Sequence, residues 1–283
     1  MFGKGKLALG MVQLPPLPGT YLYRGQAFSG IMAYALKEAK ALSDNGFDGF
    51  ILQNFEDGPT KQRSNMETVA YMTRTAALLR ETFPDMVMGI LVNWDGAASL
   101  AVAEASGADF IRVEHVYTRG EMTTFGYIEG QCIEVCELRK RLNSKVKVLA
   151  DVYESHSVPI APLPVREAAV ETVRYAFADG LFLSAASVEQ ALEMAGQVRE
   201  ALPDVPLMIG GGTNGENIKE VLGVFDGACV GAWIKDGNLK NPVNPKRAHE
   251  YMERVREAEL EMAEELPAEE SVEPVLAVSE TGN

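Results

Sequence analysis

Short apolar runs alternate with longer amphipathic stretches along most of the chain, and the alternation repeats about eight times. Runs in which nearly every residue, or every second one, is apolar predict strands near residues 7–12, 48–53, 86–92, 109–113, 146–152, 180–184, 206–210 and 227–231. Stretches with apolar residues three and four apart predict helices near 29–45, 64–83, 96–106, 128–142, 165–178, 187–201, 214–224 and 245–265. Strand then helix, eight times over, predicts an α/β fold whose parallel strands close into a (β/α)8 TIM barrel. Asn45-Gly46, Gly107-Ala108-Asp109 and Ala178-Asp179-Gly180 fall just before strands, as turns on the stability face of such a barrel do. The segments that follow the strands are longer and more polar, so chemistry is expected on that rim.

Two late turns stand out on it. The seventh apolar run breaks into Gly210-Gly211-Gly212-Thr213-Asn214, and the eighth breaks into Gly231-Ala232. Glycine lets the backbone come close to a ligand, and Thr213-x-x-Glu216 reads as a capping box whose helix start faces an anion. Glycine turns after the seventh and eighth strands suit a barrel of the ribulose-phosphate-binding kind. Gly210, Gly211, Gly212, Asn214, Gly231 and Ala232 are therefore candidate phosphate-binding residues, with Lys235 as a counter-charge. The alternative is that these glycines only turn the chain.

Asp151 ends an otherwise apolar strand, and His156 follows five residues on. A carboxylate half-buried there needs a partner, a ligand or a metal, unless it merely satisfies loop N–H groups. Glu114 and Glu56 reach the same rim from the fourth and second strands, and Asp95 from beyond the third. Together they could act as a general acid and base, or Asp151 and Glu114 could offer oxygen ligands to Mg²⁺ or Mn²⁺. Ordinary loop capping would also use carboxylates in these places. Asn93 and Asn54 are candidate orienting donors, and His115 is a second rim histidine. Arg112, inside the fourth strand, points either into the barrel against a carboxylate or toward the ligand. No H-E-x-x-H or close His/Cys cluster suggests zinc, and no organic cofactor is implied.

Bulk properties narrow the class. A chain of 283 residues suits one barrel with a tail, so one domain is expected over 1–266 and a disordered acidic tail over 267–283. The net charge of −14 is concentrated at the end: residues 257–283 hold nine Glu and no Lys or Arg, which leaves about −5 for the rest. That balance gives no basic footprint for nucleic acid, and no apolar run reaches the roughly 18–20 residues of an integral membrane segment. Cys132, Cys136 and Cys229 form no C-x-x-C, and the short N-terminal stretch before the first strand does not read as a signal peptide. A cytoplasmic protein is expected.

The rim segments resemble one family, the BtpA family, which includes the SgcQ-like proteins of sugar operons. The resemblance rests on an ordered series over roughly residues 7–255. It comprises Pro15-Pro16-Leu17-Pro18-Gly19, Asn54-Phe55-Glu56-Asp57-Gly58-Pro59, Asn93-Trp94-Asp95, Ala108 to Val113 with Ile128-Glu129-Gly130, and Val148 to Val152 with His156 and Pro159. The glycine turns, Lys235-Asp236-Gly237 and Asn241-Pro242-Val243 complete it. Departures sit on the rim: Glu114-His115 follows Arg112-Val113 where the family reads Arg-Val-Asn, and Gln53-Asn54 stands where Glu-Asn is usual. The resemblance implies the barrel. It also implies either an enzyme acting on a small phosphorylated sugar or nucleoside-like metabolite, or a non-catalytic photosystem I biogenesis factor. A metabolite sensor on the same barrel is a third reading, and a homo-oligomer is a family-style expectation. As an enzyme, the chain would be a lyase, an isomerase or a C–N glycosidic hydrolase using acid/base chemistry.

Overall fold

A computed structural model describes residues 5–115 and 117–265 of the chain. In chain order the elements are β1 (Leu7–Gln13), α1 (Phe28–Asp44), β2 (Gly49–Gln53), α2 (Met66–Thr82), β3 (Val87–Leu91), α3 (Gly96–Ser106), β4 (Phe110–Val113), β5 (Glu121–Thr123), β6 (Gly126–Ile128), α4 (Cys132–Leu142), β7 (Lys147–Asp151), β8 (Val158–Pro159), α5 (Val165–Val170), β9 (Gly180–Leu183), α6 (Val188–Ala201), β10 (Leu207–Ile209), α7 (Ile218–Val224), β11 (Gly227–Val230) and α8 (Pro245–Glu265). The eight expected strands close into one parallel barrel in the order β1-β11-β10-β9-β7-β4-β3-β2. The fold is the (β/α)8 TIM barrel. The tail expected over 267–283 lies outside the described residues.

Period two decides what fills the barrel. Leu7, Leu9 and Met11 of β1 point inward with Ile51, Val87, Leu91, Phe110, Leu149, Phe182, Met208 and Cys229, and together they form a closed interior cluster. The alternate residues, such as Ala8, Val12, Phe50, Ile90 and Ile111, join the larger core between strands and helices. Each strand is therefore apolar on both faces, which is why the sequence shows runs rather than alternation. One step further along the inward set come Gln13, Gln53, Arg112 and Asp151, so polarity begins at one depth around the barrel.

Four aspartates lock the opposite end. Asp48, Asp109, Asp179 and Asp226 precede β2, β4, β9 and β11, and each accepts the backbone N–H of the neighbouring strand, from Ala8, Met88, Val148 and Leu207 at 2.8–2.9 Å. Arg80 and Arg199 hold two of these carboxylates at 2.6 and 2.7 Å. Such carboxylates satisfy strand-end donors that no ladder partner reaches.

Three local expectations are corrected. The helix expected from 128 begins at Cys132, because residues 121–128 form the β5–β6 hairpin, which pairs with β8 in a small antiparallel sheet. The helix expected over 165–178 gives way to a π-helical turn at Glu171–Tyr175. The capping box does not form: α7 starts only at Ile218, Thr213 is hydrogen-bonded to Tyr251 at 3.1 Å, and Asn214 Oδ1 accepts from the N–H groups of Glu216 and Asn217. The Asn214 side chain wins those donors by closing a tight local turn.

Lys235 is also corrected. It is fully buried behind the barrel wall, in the short 3-10 turn Trp233–Lys235, and donates to Glu38 Oε2 at 2.9 Å. Glu38 Oε1 in turn accepts from Val243 N at 3.0 Å, so one buried carboxylate ties α1 to the segment leading into α8. The lysine therefore faces Glu38 rather than a ligand. Lys235→Ala would leave that carboxylate buried without its cation, and breaking a buried pair in this way costs about 3–5 kcal/mol. Urea titration of the variant should show that loss, and an unchanged midpoint would refute the structural role of the pair.

Candidate functional site

The strands' carboxyl ends surround a cavity of about 500 Å³. Its floor is an ion pair. Arg112 donates from Nε to Asp151 Oδ1 at 2.9 Å and from Nη2 to Asp151 Oδ2 at 2.6 Å, with the guanidinium lying over the Phe182 ring at 4.6 Å. Nη2 also reaches Ser184 Oγ at 3.2 Å. Gly210 makes room for this arrangement, since a Cβ there would come within 2.3 Å of Ser184 Oγ and 2.9 Å of Arg112 Nη2. Burial pushes the Asp151 carboxyl up to about 7, against the pull of Arg112. Arg112 occupies both of its oxygens, and Ser184 Oγ approaches Oδ2 at 3.5 Å.

That geometry assigns Asp151 a supporting place. It is completely enclosed, and Arg112 is what meets the cavity above it. Of the two sequence readings of Arg112, the buried ion pair holds, and the same side chain also lines the cavity. A divalent cation at Asp151 and Glu114 would sit beside a guanidinium on a carboxylate that is already spent. Among the described residues no cluster of three or more His, Cys, Asp or Glu converges as metal ligands. The residues present do not fit a metal ion.

Two other carboxylates face the cavity: Glu114, half-buried just past β4, and Glu154, three residues past β7. Glu154 Oε1 lies 3.7 Å from His156 Nε2, and Oε2 lies 3.8 Å from Arg112 Nη2, too long for a hydrogen bond. Glu154 Oε2 is buried with no partner, and so is Gln13 Oε1 on the opposite strand of the barrel order. Burial raises the Glu114 carboxyl, with Glu154 adding repulsion and Arg112 opposing both. His156 is exposed at the rim.

The opposite part of the wall is backbone. Residues 210–214 and Gly231-Ala232 line the cavity, with Gly211 and Gly212 at φ +154° and +78°. Among the described residues, the N–H groups of Gly211, Gly212, Gly231 and Ala232 make no hydrogen bond within the chain. Backbone N–H groups without a partner, on two adjacent turns that line one cavity, are of the kind that receive an anion. Asn214 lines it too, but its backbone N–H is taken by Asn217 Oδ1 at 2.9 Å.

Four expected residues stand elsewhere. Glu56 pairs with Lys240 at 3.2 Å, outside the cavity wall. Asn54 donates to Asp57 Oδ2 at 2.8 Å and accepts from Asn93 N at 2.7 Å, while Asn93 Oδ1 accepts from Gln53 Nε2 at 2.8 Å. These asparagines are pegs between the loops after β2 and β3, not free donors. Asp95 caps α3 through Ala98 N at 2.9 Å. Sequence reasoning passed over Glu154, Gln13 and Gln53 as site residues. The inward parity of β1 and β2, with polar residues at their last positions, is the signal that marks the two glutamines.

A latch holds the acidic side together. His115, at φ +65°, donates from Nδ1 to Glu121 Oε2 at 2.9 Å, and Ser157 donates to the same oxygen. The β5–β6–β8 sheet thus ties the loop bearing Glu114 to the loop bearing Glu154. The Trp94 ring packs against the edge of His115 at 5.0 Å.

Fold and site together define a TIM-barrel protein whose mouth sets free backbone N–H groups against buried carboxylates. The chain belongs to the BtpA family, whose sequence model matches residues 4–257. An uncharacterised protein of Thermococcus kodakarensis is 37% identical over 89% of this chain and 96% of its own. The photosystem I biogenesis protein BtpA of Synechocystis is 32% identical over 88% of each chain. The putative sgc region protein SgcQ of Escherichia coli is 28% identical over 90% of this chain and 96% of its own. Among solved structures, thiamine phosphate pyrophosphorylase from Pyrococcus furiosus superposes with a TM-score of 0.54 at 18% identity, covering 90% of this chain and 98% of that one. A 3-hexulose-6-phosphate synthase does so with 0.54 at 15%, covering 88% and 99%. These structural likenesses establish the shared barrel. Among the described residues no helix is long and apolar enough to cross a membrane.

The latch makes stability depend on pH. Burial works against a charged His115, but the Glu121 bond and the nearby Glu114 and Glu154 carboxylates outweigh it, so its pKa lies above the ordinary 6.5. A histidine raised in this way stabilises the fold fully below its unfolded value and loses that contribution as pH rises through the folded one. The melting temperature of the wild type should therefore exceed that of His115→Asn, which tolerates a left-handed backbone, by most below pH 6.5. The gap should close at higher pH, and one constant with pH would show that His115 is neutral throughout.

Proposed function

We propose that the protein is an enzyme acting on a small phosphorylated sugar or nucleoside-like metabolite by acid/base chemistry. The observation that carries this reading is the pairing, in one cavity, of the free Gly211, Gly212, Gly231 and Ala232 N–H groups with the inward-facing carboxyls of Glu114 and Glu154. The glycine turns hold the phosphate, and the rest of the substrate extends over Arg112 toward the carboxyls. Glu114, whose carboxyl is biased toward the protonated form, serves as general acid, and Glu154 serves as general base. A lyase, an isomerase and a C–N glycosidic hydrolase can each work through an acid/base pair of carboxyls. The phosphate named in two solved barrels of similar fold supports a phosphorylated substrate by analogy alone. A cytoplasmic homo-oligomer remains part of the proposal, checked by cell fractionation and light scattering.

A second reading is favoured by a surface. Met122, Phe125, Tyr127, Val158 and Ile160 are exposed on and beside the small β5–β6–β8 sheet. Clustered apolar side chains of this kind suit a protein partner, as an assembly factor would need. The relative named for photosystem I biogenesis supports that alternative. A metabolite sensor would use the cavity without turnover.

Thermal shift and turnover assays with a panel of sugar phosphates separate these readings. Gly211→Asp puts a carboxylate among the free N–H groups in open space, and should weaken sugar-phosphate binding at least about tenfold, with Gly211→Ala controlling for backbone strain. Glu114→Gln should keep binding but lower turnover by about 10²–10⁴. Binding that survives Gly211→Asp would sink the phosphate site. Unaltered turnover in Glu114→Gln would remove its assigned role, and binding without turnover in the wild type would favour the sensor.

A further inference from the structure

The acidic side of the cavity has more acceptors than the chain can satisfy. Glu114 and Glu154 both face it, and the deepest cation, Arg112, is already bonded to Asp151 through two nitrogens. The His156 ring, on the same wall, is a rim side chain in solvent that stands beside Glu154 Oε1, not Oε2. Glu154 Oε2 is thus buried and without a donor, although its side chain is only 5% exposed. An independent mark of the same deficit is Gln13 Oε1. It is buried and unpartnered on the cavity wall, because the other end of that amide donates to Gln53 Oε1 at 3.2 Å. An acceptor buried without a donor forgoes its hydration with nothing in return. A ligand occupying this cavity relieves the deficit only if it brings hydrogen-bond donors, and beside the Glu154 carboxylate the favoured donor carries positive charge.

We propose that the cavity takes a phosphate monoester bearing a protonated amine, with the amine against Glu114 and Glu154 and a hydroxyl directed at Gln13. The proposal rests on the phosphate reading of the glycine turns and adds the chemistry of the other end of the ligand. β11, which carries Gly231, and β4, which leads to Glu114, stand opposite one another in the closed strand order, so anion and cation sites face each other across the mouth. A cavity of about 500 Å³ accommodates a hexose phosphate spanning the two. The arrangement discriminates against phosphates of uncharged sugars, which bring no charged donor to Glu154 Oε2, and against inorganic phosphate, which reaches only the glycine side.

Isothermal titration of the full chain near neutral pH with glucosamine 6-phosphate, glucose 6-phosphate and glucosamine tests both levels. The expected result is that glucosamine 6-phosphate binds about tenfold or more tighter than glucose 6-phosphate, the scale of one charge-assisted hydrogen bond. Equal affinity for the two phosphates would overturn the amine site and leave the phosphate reading standing. Glucosamine bound as tightly as its 6-phosphate would do the reverse, and no binding by any of the three would overturn both. In the Glu154→Gln variant the preference for the amine should fall to about twofold. A preference that persists in both Glu154→Gln and Glu114→Gln would also overturn the assignment, and the wild-type ligand comparison stands whether or not either variant folds.

Discussion

The Arg112–Asp151 pair is the constraint on which the upper half of this molecule depends. It lies where the apolar filling of the barrel ends, with Phe182 beneath the guanidinium and Gly210 beside it. A charge pair at that depth is tolerable only with good geometry and further hydrogen bonds, and this one has two direct bonds and a third to Ser184. Its presence closes the core, gives the cavity a polar floor, and commits the Arg112 guanidinium to Asp151. Backbone N–H groups are left to receive an anion, and Glu114 and Glu154 are left facing a space with little positive charge.

The two ends of the barrel are built on different logic. At the amino ends of the strands, Asp48, Asp109, Asp179 and Asp226 each spend an oxygen on a neighbouring strand's N–H. At the carboxyl ends, among the described residues, the N–H groups of Gly211 and Gly231 and the oxygens Gln13 Oε1 and Glu154 Oε2 make no hydrogen bond. Stability is concentrated at one face and unmet hydrogen bonding at the other, as expected if the second face exists to bind something. The small sheet of β5, β6 and β8 keeps the reactive face in register, because Glu121 within it fixes both His115 and Ser157.

Chemistry-bearing residue types were visible in the chain, but their assignment was only partly so. Sequence leaves Asp151 needing a partner, a ligand or a metal, with a place as catalytic base expected, and the structure gives it Arg112 from the adjacent strand as its partner. Lys235 follows a glycine turn, as a phosphate lysine would, yet it turns outward to Glu38, a residue almost two hundred positions away in sequence. Asn54, Asn93 and Glu56 occupy rim loops and are consumed by neighbouring loops and by Lys240. Glu154 has the reverse history: nothing in Tyr153-Glu154-Ser155 distinguishes it from a solvated loop residue until the small sheet folds it inward.

The sequence by itself determined the barrel, its strand order of travel and the face that carries the polar rim. Those features follow from local periodicity, from glycine and aspartate at fixed places beside each strand, and from the short reach of strand–helix connections. Which rim groups remain free was decided only by the tertiary structure. A side chain's availability is what is left after long-range partners have claimed it, and claims such as those of Arg112 on Asp151 and Glu38 on Lys235 are made between residues that only the closed barrel brings together.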